Sequence, residues 1–543
     1  MEIRNIYKIL AIIILTSSLA GCGEQKKKSK DAKKIEAPPA QARLDTTIGD
    51  LAEVVAFNPI PVKGVGIVVG LPNTGSSECP QQIRDYLLQY IIAQLGPKNV
   101  NAEKMINSLD TAVVLVEGFI PPGASKYQPF DVTVSALPNT QTTSLNRGRL
   151  YTTELKLIAR VDDSIESSKT LALAAGPVYI DNLATTKPDP RNGFVLGGGK
   201  SIQSYQITLA LLKSDFQTAA NIRNRINQRF GRDVASAVSP EIIYLSVPDE
   251  FKNRKTRFIE LVKSLYVTTA AASEDEHINS LVESLRTSTD KTKYETALEA
   301  IGKNAIARLL PLIDSADNQT KFSAARCLLA IGEDQGLKTL REYAQDSSSS
   351  FQIAAIQAIG DYAVKSDVIA LMSRIIRENK FDVRYNAYKY LQKYGDTSII
   401  HAVVAEDFYI DQVVTTGPKT IYASRTRQAG IVLFGAPIKC QKDIYVESDD
   451  GQIIINSLPN EDRVSIMRKH PITKELMGPL KCSTMVADVI KVLGEEPSSD
   501  KKEKKRLGLG VSYSDIAALL KKMVDKGAVD ADFVAGQPSL TAQ

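Results

Sequence analysis

One tract limits the fold of this chain more than any other. From about Ser273 to Ser398 the sequence reads as helix after helix, and ALEAIG ending at Gly302, CLLAIG at Gly332, AIQAIG at Gly360 and YLQKYG at Gly395 recur at intervals of 30, 28 and 35 residues. Ala300, Ala330 and Ala358 hold one position of the repeat, where a small side chain lets paired helices approach, and the glycine that follows is predicted to end each helix. A unit of this length cannot bury its apolar face alone, and four units exceed the three or so that make a continuous core. The tract therefore predicts an α-solenoid, an architecture that presents a long concave face to another macromolecule more often than it performs chemistry.

The solenoid cannot be the whole molecule. At 543 residues and roughly 150 per domain, the chain has room for three or four domains. It is 43% apolar, 24% charged and 6% aromatic, an ordinary globular composition that excludes collagen, wholesale disorder and a polytopic membrane protein. Lys plus Arg minus Asp plus Glu is 67 minus 62, or +5, too small a surplus to point to nucleic acid. Three histidines and five cysteines, with no C-x-x-C or H-E-x-x-H spacing, predict neither a metal site nor a cofactor.

The first residues carry an address. Arg4 and Lys8 precede the apolar run Leu10 to Leu15, which is too short to span a bilayer and has the pattern of an export signal. Leu19-Ala20-Gly21-Cys22 then resembles a bacterial lipobox, which implies lipid attachment at Cys22 and a mature protein outside the cytoplasm. Gly23 is not the aspartate that, by resemblance to lipoprotein sorting, would retain the protein at the inner membrane, so outer-membrane anchoring is expected. Residues 23–46, rich in Lys, Ala and Pro, read as a solvated tether.

Globular sequence of mixed α and β character starts near Ile48. GVGIVVGLPNTG (Gly64 to Gly75), TAVVLVEGFI (Thr111 to Ile120) and DVTVSAL (Asp131 to Leu137) have the β-branched content of strands, the last two flanking a Pro-Pro-Gly turn. IRDYLLQYIIAQLG places Ile83, Leu87, Ile91 and Leu95 on one helical face with Gly96 as stop, and in SDFQTAANIRNRINQRFG Thr218 is the expected cap and Gly231 the end. Two glycine-rich segments imitate nucleotide motifs. Gly64, Gly66 and Gly70 are spaced one residue too long for a dinucleotide fingerprint, and GGGKS (Gly197 to Ser201) lacks the first P-loop glycine and precedes a strand-like run instead of a helix.

Taken in order, these segments resemble the bacterial flagellar P-ring protein family. The strand EIIYLSVP (Glu241 to Pro248), the segment TIYASRTRQAGIVLFG (Thr420 to Gly435) and the closing helix LGVSYSDIAALLKKMVDKGAVDADF (Leu509 to Phe533) continue the likeness, which covers roughly residues 47–270 and 405–535. In that closing helix Ser512 and Asp515 form an S-x-x-D capping box, Ile516, Leu519, Leu520, Met523 and Val524 make the apolar stripe, and Gly527 is the stop. The repeat tract between the two blocks departs from the family and resembles short HEAT repeats. The fold expected is α+β multidomain: a signal at 1–22, the tether at 23–46, a P-ring-like α+β region at 47–272, a HEAT-like solenoid at 273–400 and a second P-ring-like region at 401–543.

The resemblance implies a structural, non-enzymatic role: a closed homo-oligomeric ring in the periplasm, a bushing around the rod of the flagellar basal body. It also implies as partners further copies of the chain, the rod and L-ring proteins and peptidoglycan, with the membrane reached through the lipid anchor. The alternative is a non-flagellar envelope lipoprotein scaffold that reuses the fold and binds proteins through its solenoid. Cysteine usage fits export: Cys440 and Cys482 share the C-terminal region and are candidates for a disulfide, Cys327 takes a repeat position filled elsewhere by Ala297 and Ala355 and reads as a core thiol, and Cys79 has no assigned role. No catalytic constellation is legible, because His277, His401 and His470 stand far apart in the sequence. The pairs Asp162-Asp163 and Asp449-Asp450, and the run KKEKKR (Lys501 to Arg506), read as solvated turns and loop.

Overall fold

The computed structural model describes residues 46–55, 57–95, 102–157, 169–184, 186, 188–267, 271–470, 473–497 and 508–538. The described residues form an α+β molecule in which each domain interrupts another.

Helix α1 (Ile48–Leu51) and strand β1 (Ala52–Val55) open a four-stranded sheet that the chain leaves at once. It builds a closed antiparallel barrel from β2 (Ile60–Val69), helices α2 (Gln81–Leu95) and α3 (Ala102–Ile106), β3 (Ala112–Ile120), β4 (Pro129–Ala136), β5 (Arg149–Leu157), β6 (Thr170–Pro177) and β7 (Asn192–Ser201), closed in the order β2-β3-β4-β7-β6-β5. Inward alternation fills the barrel with Val62, Val68, Val114, Val116, Val132, Val134 and Leu155, all fully buried. The GGGKS segment lies within β7, so it is strand backbone and no phosphate cradle.

The chain then returns to the first sheet with β8 (Ile207–Leu211), α4 (Phe216–Phe230), β9 (Ala235–Ala237), β10 (Ile242–Leu245) and α5 (Lys255–Ser264), in the strand order β1-β8-β10-β9. Helix α4 starts one turn earlier than expected. Asp215, not Thr218, is its cap: the Asp215 carboxylate accepts from the Thr218 amide at 2.7 Å and from its hydroxyl at 2.6 Å, because a carboxylate reaching the third amide satisfies an orphan donor and meets the helix dipole.

Helices α6 (Ala271–Thr287), α7 (Thr292–Ile301), α8 (Ile306–Leu309), α9 (Asn318–Ile331), α10 (Gln335–Gln345), α11 (Gln352–Tyr362), α12 (Lys365–Ile375) and α13 (Phe381–Tyr394) pair off as four antiparallel units. The second helix of three units ends at an expected glycine, with φ of 82° at Gly302, 95° at Gly332 and 65° at Gly395. Gly360 is the exception. Helix α11 runs through it to Tyr362, and the Tyr390 ring of α13 lies 2.3 Å from where a Cβ would stand, so this glycine serves close approach instead of termination.

The C-terminal region has a five-stranded sheet from β11 (Ile399–Val404), β12 (Phe408–Val414), β13 (Thr420–Ala423), β14 (Gly430–Ala436) and β19 (Asp532–Ala535), so Ile399 and Ile400 already belong to it. Between β14 and β19 lie the antiparallel sheet β15 (Ile444–Glu447), β16 (Ile453–Ser457), β17 (Arg463–Lys469) and β18 (Leu476–Ser483) and the helices α14 (Val486–Gly494) and α15 (Tyr513–Asp525). Every residue of β14 is buried, since the sheet is covered on both faces: α14 and α15 take Ile431 and Leu433, while the solenoid takes Val432 and Phe434.

Candidate functional site

The sequence-predicted chemistry disperses when the chain folds. His277 stacks on Tyr266 at 4.6 Å, His470 accepts from the Thr473 amide at 3.1 Å, and His401 sits beside Asp411, so the three rings remain apart. Asp449 and Asp450 occupy a turn and bind Lys522 and Arg147 respectively, as structural ion pairs. Among the described residues no group of three or more His, Cys, Asp or Glu could hold a metal ion. Cys22, Asp162-Asp163 and the run Lys501 to Arg506 lie outside the described residues.

Cys440 and Cys482 are free thiols against the C-terminal core. The Cys440 amide donates to Thr484 O at 2.8 Å, setting it opposite a residue two beyond Cys482. Burial, with Cys482 adding its charge, pushes the Cys440 thiol up to about 12, and burial with Asp488 pushes Cys482 to about 11. Cys327 is a core thiol as expected, its pKa raised to about 12 by burial.

What the fold does concentrate is polar chemistry at the seams between domains. Between barrel and C-terminal region, Asp131 of β4 accepts from the Gly197 amide at 2.7 Å, the Arg427 amide at 2.9 Å and the Thr426 hydroxyl at 3.0 Å. Arg147, in the turn before β5, donates to Asp515 at 2.9 Å, Gln452 at 2.9 Å and Asp450 at 3.1 Å. Burial opposes the Arg147 charge, but Asp515 and Asp450 more than offset it and hold its pKa up. The expected capping box of α15 is thus only half made: Ser512 accepts from the Asp515 amide, while the Asp515 carboxylate turns away to Arg147 and Asn146. Asp181 pairs with Arg425, and the Ile180 amide donates to Ser514 Oγ at 3.0 Å.

A second seam joins the solenoid to the N-terminal sheet domain. Arg257 of α5 pairs with the buried Glu299 of α7 and donates to Thr296 at 2.9 Å, while Arg229 of α4 donates to the carbonyls of Ala300 and Glu299, each at 2.9 Å. Arg254 lies over the Tyr362 ring at 4.3 Å, and Tyr362 donates to Glu299 at 3.1 Å. A third seam fixes the far end of the solenoid to the five-stranded sheet through Phe381, Tyr385 and Tyr388 of α13 against Tyr422 and Phe434. Beneath them Asp411, fully buried, accepts from Tyr388 at 2.5 Å and Gln392 at 2.8 Å, with His401 Nδ1 at 2.6 Å. The residues of these seams stood in the sequence as ordinary polar, charged and aromatic positions of helices, strands and turns. Only Glu295 and Glu299 gave a signal, as acids amid the apolar face of a repeat.

The polar groups that the fold brings together among the described residues join one domain of the chain to another. The comparisons with known proteins supply the relationship. Residues 47–280 match the family model of the flagellar P-ring protein, and residues 278–360 match that of HEAT repeats. The flagellar P-ring protein of Hydrogenovibrio crunogenus is 32% identical over 251 residues, 43% of this chain and 64% of the relative. Those of Nitrosospira multiformis and Albidiferax ferrireducens are 26% identical over 352 residues and 27% over 387, covering 62% and 68% of this chain and 88% and 93% of theirs. The chain spans a little less than two thirds of the first of these relatives. The chain is thus similar to the flagellar P-ring proteins and, over residues 278–360, to HEAT repeats.

Proposed function

We propose that this protein is a structural component of the bacterial flagellar basal body, a P-ring subunit enlarged by a solenoid. The observation that carries this reading is the kinship over residues 47–280, extended by alignments of 352 and 387 residues to relatives named flagellar P-ring protein. The seams support it, because a subunit under mechanical load needs domains that do not move against one another, and buried ion pairs and aromatic contacts fix orientation. The role is structural and non-enzymatic, at a periplasmic basal body.

Finer assignments complete the proposal. Copies associate head to tail into a closed ring around the rod, next to the L-ring protein and peptidoglycan, with lipid on Cys22 tethering each copy to the outer membrane. Cys440 and Cys482 are proposed to join under oxidising conditions. The scaffold alternative draws its appeal from a free concave solenoid face. Against it, Glu299 and Tyr362 of the tract meet the N-terminal sheet domain and α13 meets the C-terminal sheet, so part of the tract is engaged within the chain itself.

Electron cryo-tomography of cells with and without the gene tests the function. Loss of a periplasmic ring around the rod, together with loss of motility, is the expected outcome. Unchanged basal bodies in motile deletion cells would refute it. For the anchor, Cys22→Ala chains should leave the acylated membrane fraction, and acylated chains persisting there would refute the assignment.

A further inference from the structure

Four cations at the C-terminal end of the solenoid stand without ion-pair partners. On α13, Lys389 lies over the Tyr385 ring at 5.3 Å, and Lys393 over the Tyr390 ring at 5.8 Å and the Tyr394 ring at 5.2 Å. Lys365, the first residue of α12, approaches the same Tyr394 ring at 5.9 Å. Arg427, in the turn between β13 and β14, adds its charge to that around Lys389. All four residues are exposed, and among the described residues none has a carboxylate within 4.0 Å. The acids of the same stretch are engaged elsewhere or stand off: Asp361 accepts from Tyr390 at 3.1 Å, Asp367 pairs with Arg341, Asp396 accepts from Ser398, and Asp382 lies two turns before Lys389. Lys389 is partly desolvated where it stands, and this, with the Arg427 charge, lowers its pKa against the opposing pull of Asp361. Holding like charges together costs free energy that an anionic partner would return.

The arrangement decides which kind of anion fits. A lone phosphate is held best by donors that converge on it, whereas these ammonium groups are kept apart, each by its own ring contact. Lys389 and Lys393 are one helical turn apart, about 6 Å along the axis. Alternate residues of an extended chain are about 6.7 Å apart, so carboxylates on one side of such a chain match the two lysines. The rings argue against a sugar or a nucleic-acid base, which would stack on an open aromatic face. Tyr385 is covered by Lys389 and by Tyr422 at 4.7 Å, Tyr390 by Lys393 and by its contact with Gly360, and Tyr394 by two lysines. Val364, 62% exposed next to Lys365, gives the row an apolar border.

We propose that this row of lysines, together with Arg427, docks an extended acidic segment of another protein. The repeat tract then keeps a working surface at its C-terminal end while Glu299 and Tyr362 are engaged by the N-terminal sheet domain. The inference goes beyond the ring reading, which neither requires nor excludes it.

Fluorescence anisotropy on the full chain, purified in detergent, tests this with a labelled peptide of alternating glutamate and threonine, about ten residues long and kept extended by its threonines. Saturable binding that weakens several-fold as salt is raised is expected, and the same peptide with lysine in place of glutamate should not bind. The double variant Lys389→Glu with Lys393→Glu should weaken binding about tenfold or more at an unchanged melting temperature, since both positions are exposed. Arg427→Gln, on a different element, guards against a local defect in α13 and should weaken binding about threefold. No binding to the wild-type chain, or wild-type affinity in either variant, would overturn the proposal. Heparin or inorganic phosphate competing as well as the glutamate peptide would overturn it too, because the site would then be indifferent to the chain that carries the charge. None of these outcomes bears on motility or on a periplasmic ring, so failure here leaves the ring reading intact.

Discussion

The two ends of the solenoid are attached by different physics. At its start, α7 meets the N-terminal sheet domain through charge: Arg257 on Glu299, Arg229 on two carbonyls, Arg254 over Tyr362. At its finish, α13 meets the five-stranded sheet through rings, with Phe434 5.4 Å from Tyr388 and 5.6 Å from Phe381. Desolvation nearly cancels the attraction of a buried ion pair, so the first junction sets orientation at little net gain. Aromatic burial contributes directly, so the second supplies most of the stability. A helical repeat tract can therefore be seated between two other domains by covering one sheet face and aligning its other end with charges.

This comparison is most easily broken at Phe434. Phe434→Ala should cost about 4 kcal/mol in denaturant unfolding, because the site is walled by two elements that cannot both collapse into the cavity. A loss below 1 kcal/mol would show that the C-terminal junction carries little. Next in size is Glu299→Gln, which leaves the partly buried Arg257 with only the exposed Glu260 as counter-charge and should cost about 3 kcal/mol. The sharper version is the double change Glu299→Leu with Arg257→Met. If the junction is for orientation, the double variant should recover most of that loss, and failure to recover it would make the pair a net source of stability.

A smaller effect separates termination from packing within the repeats. Gly360→Ala should cost about 2 kcal/mol, since the added methyl meets the Tyr390 ring within a continuous helix. Gly360→Ala combined with Tyr390→Ser should regain part of it. A neutral Gly360→Ala would mean that α13 can shift away at no cost.

The same residue shows what a sequence does and does not disclose. Repeat spacing revealed the solenoid, and three of its four glycines end helices as predicted, because helix termination is a local property of a backbone with positive φ. Gly360 looked identical in sequence, and its role depends on Tyr390, thirty residues away in the next unit. Strand segments such as Ala112–Ile120 were legible from composition, whereas closure of six of them into a barrel depends on pairings like that of β2 with β5, which leave no local mark. Thr218 and Asp515 were assigned to helix starts by spacing alone. In the fold Asp215 reaches the amide first, and Asp515 is drawn to an arginine from another domain. The seams were illegible for the same reason: Arg147 and Asp515 are 368 residues apart and each looks like a surface charge. The assignment of Cys22 rests on the sequence alone, because that residue lies outside the described residues.

The smallest expected effect concerns the seam between barrel and C-terminal region, the counterpart of the solenoid's charged junction. Burial works against the Asp450 carboxylate, yet Ser448, the Gln452 amide and Arg147 outweigh it and set its pKa below the ordinary carboxylate value. A depressed folded pKa means stability that is present above the unfolded value of about 3.9 and lost as pH falls through the folded one. Asp450 is half exposed, so solvent screening limits its contribution to about 0.5 kcal/mol. Asp450→Asn should therefore lower stability slightly at pH 7 and not at pH 3, measured by denaturant midpoints at both. A loss as large as that of Glu299→Gln would mean that the two charged seams are energetically alike despite their different burial. A loss that persisted unchanged at pH 3 would trace the effect to the hydrogen bonds of the turn and not to the charge on Arg147.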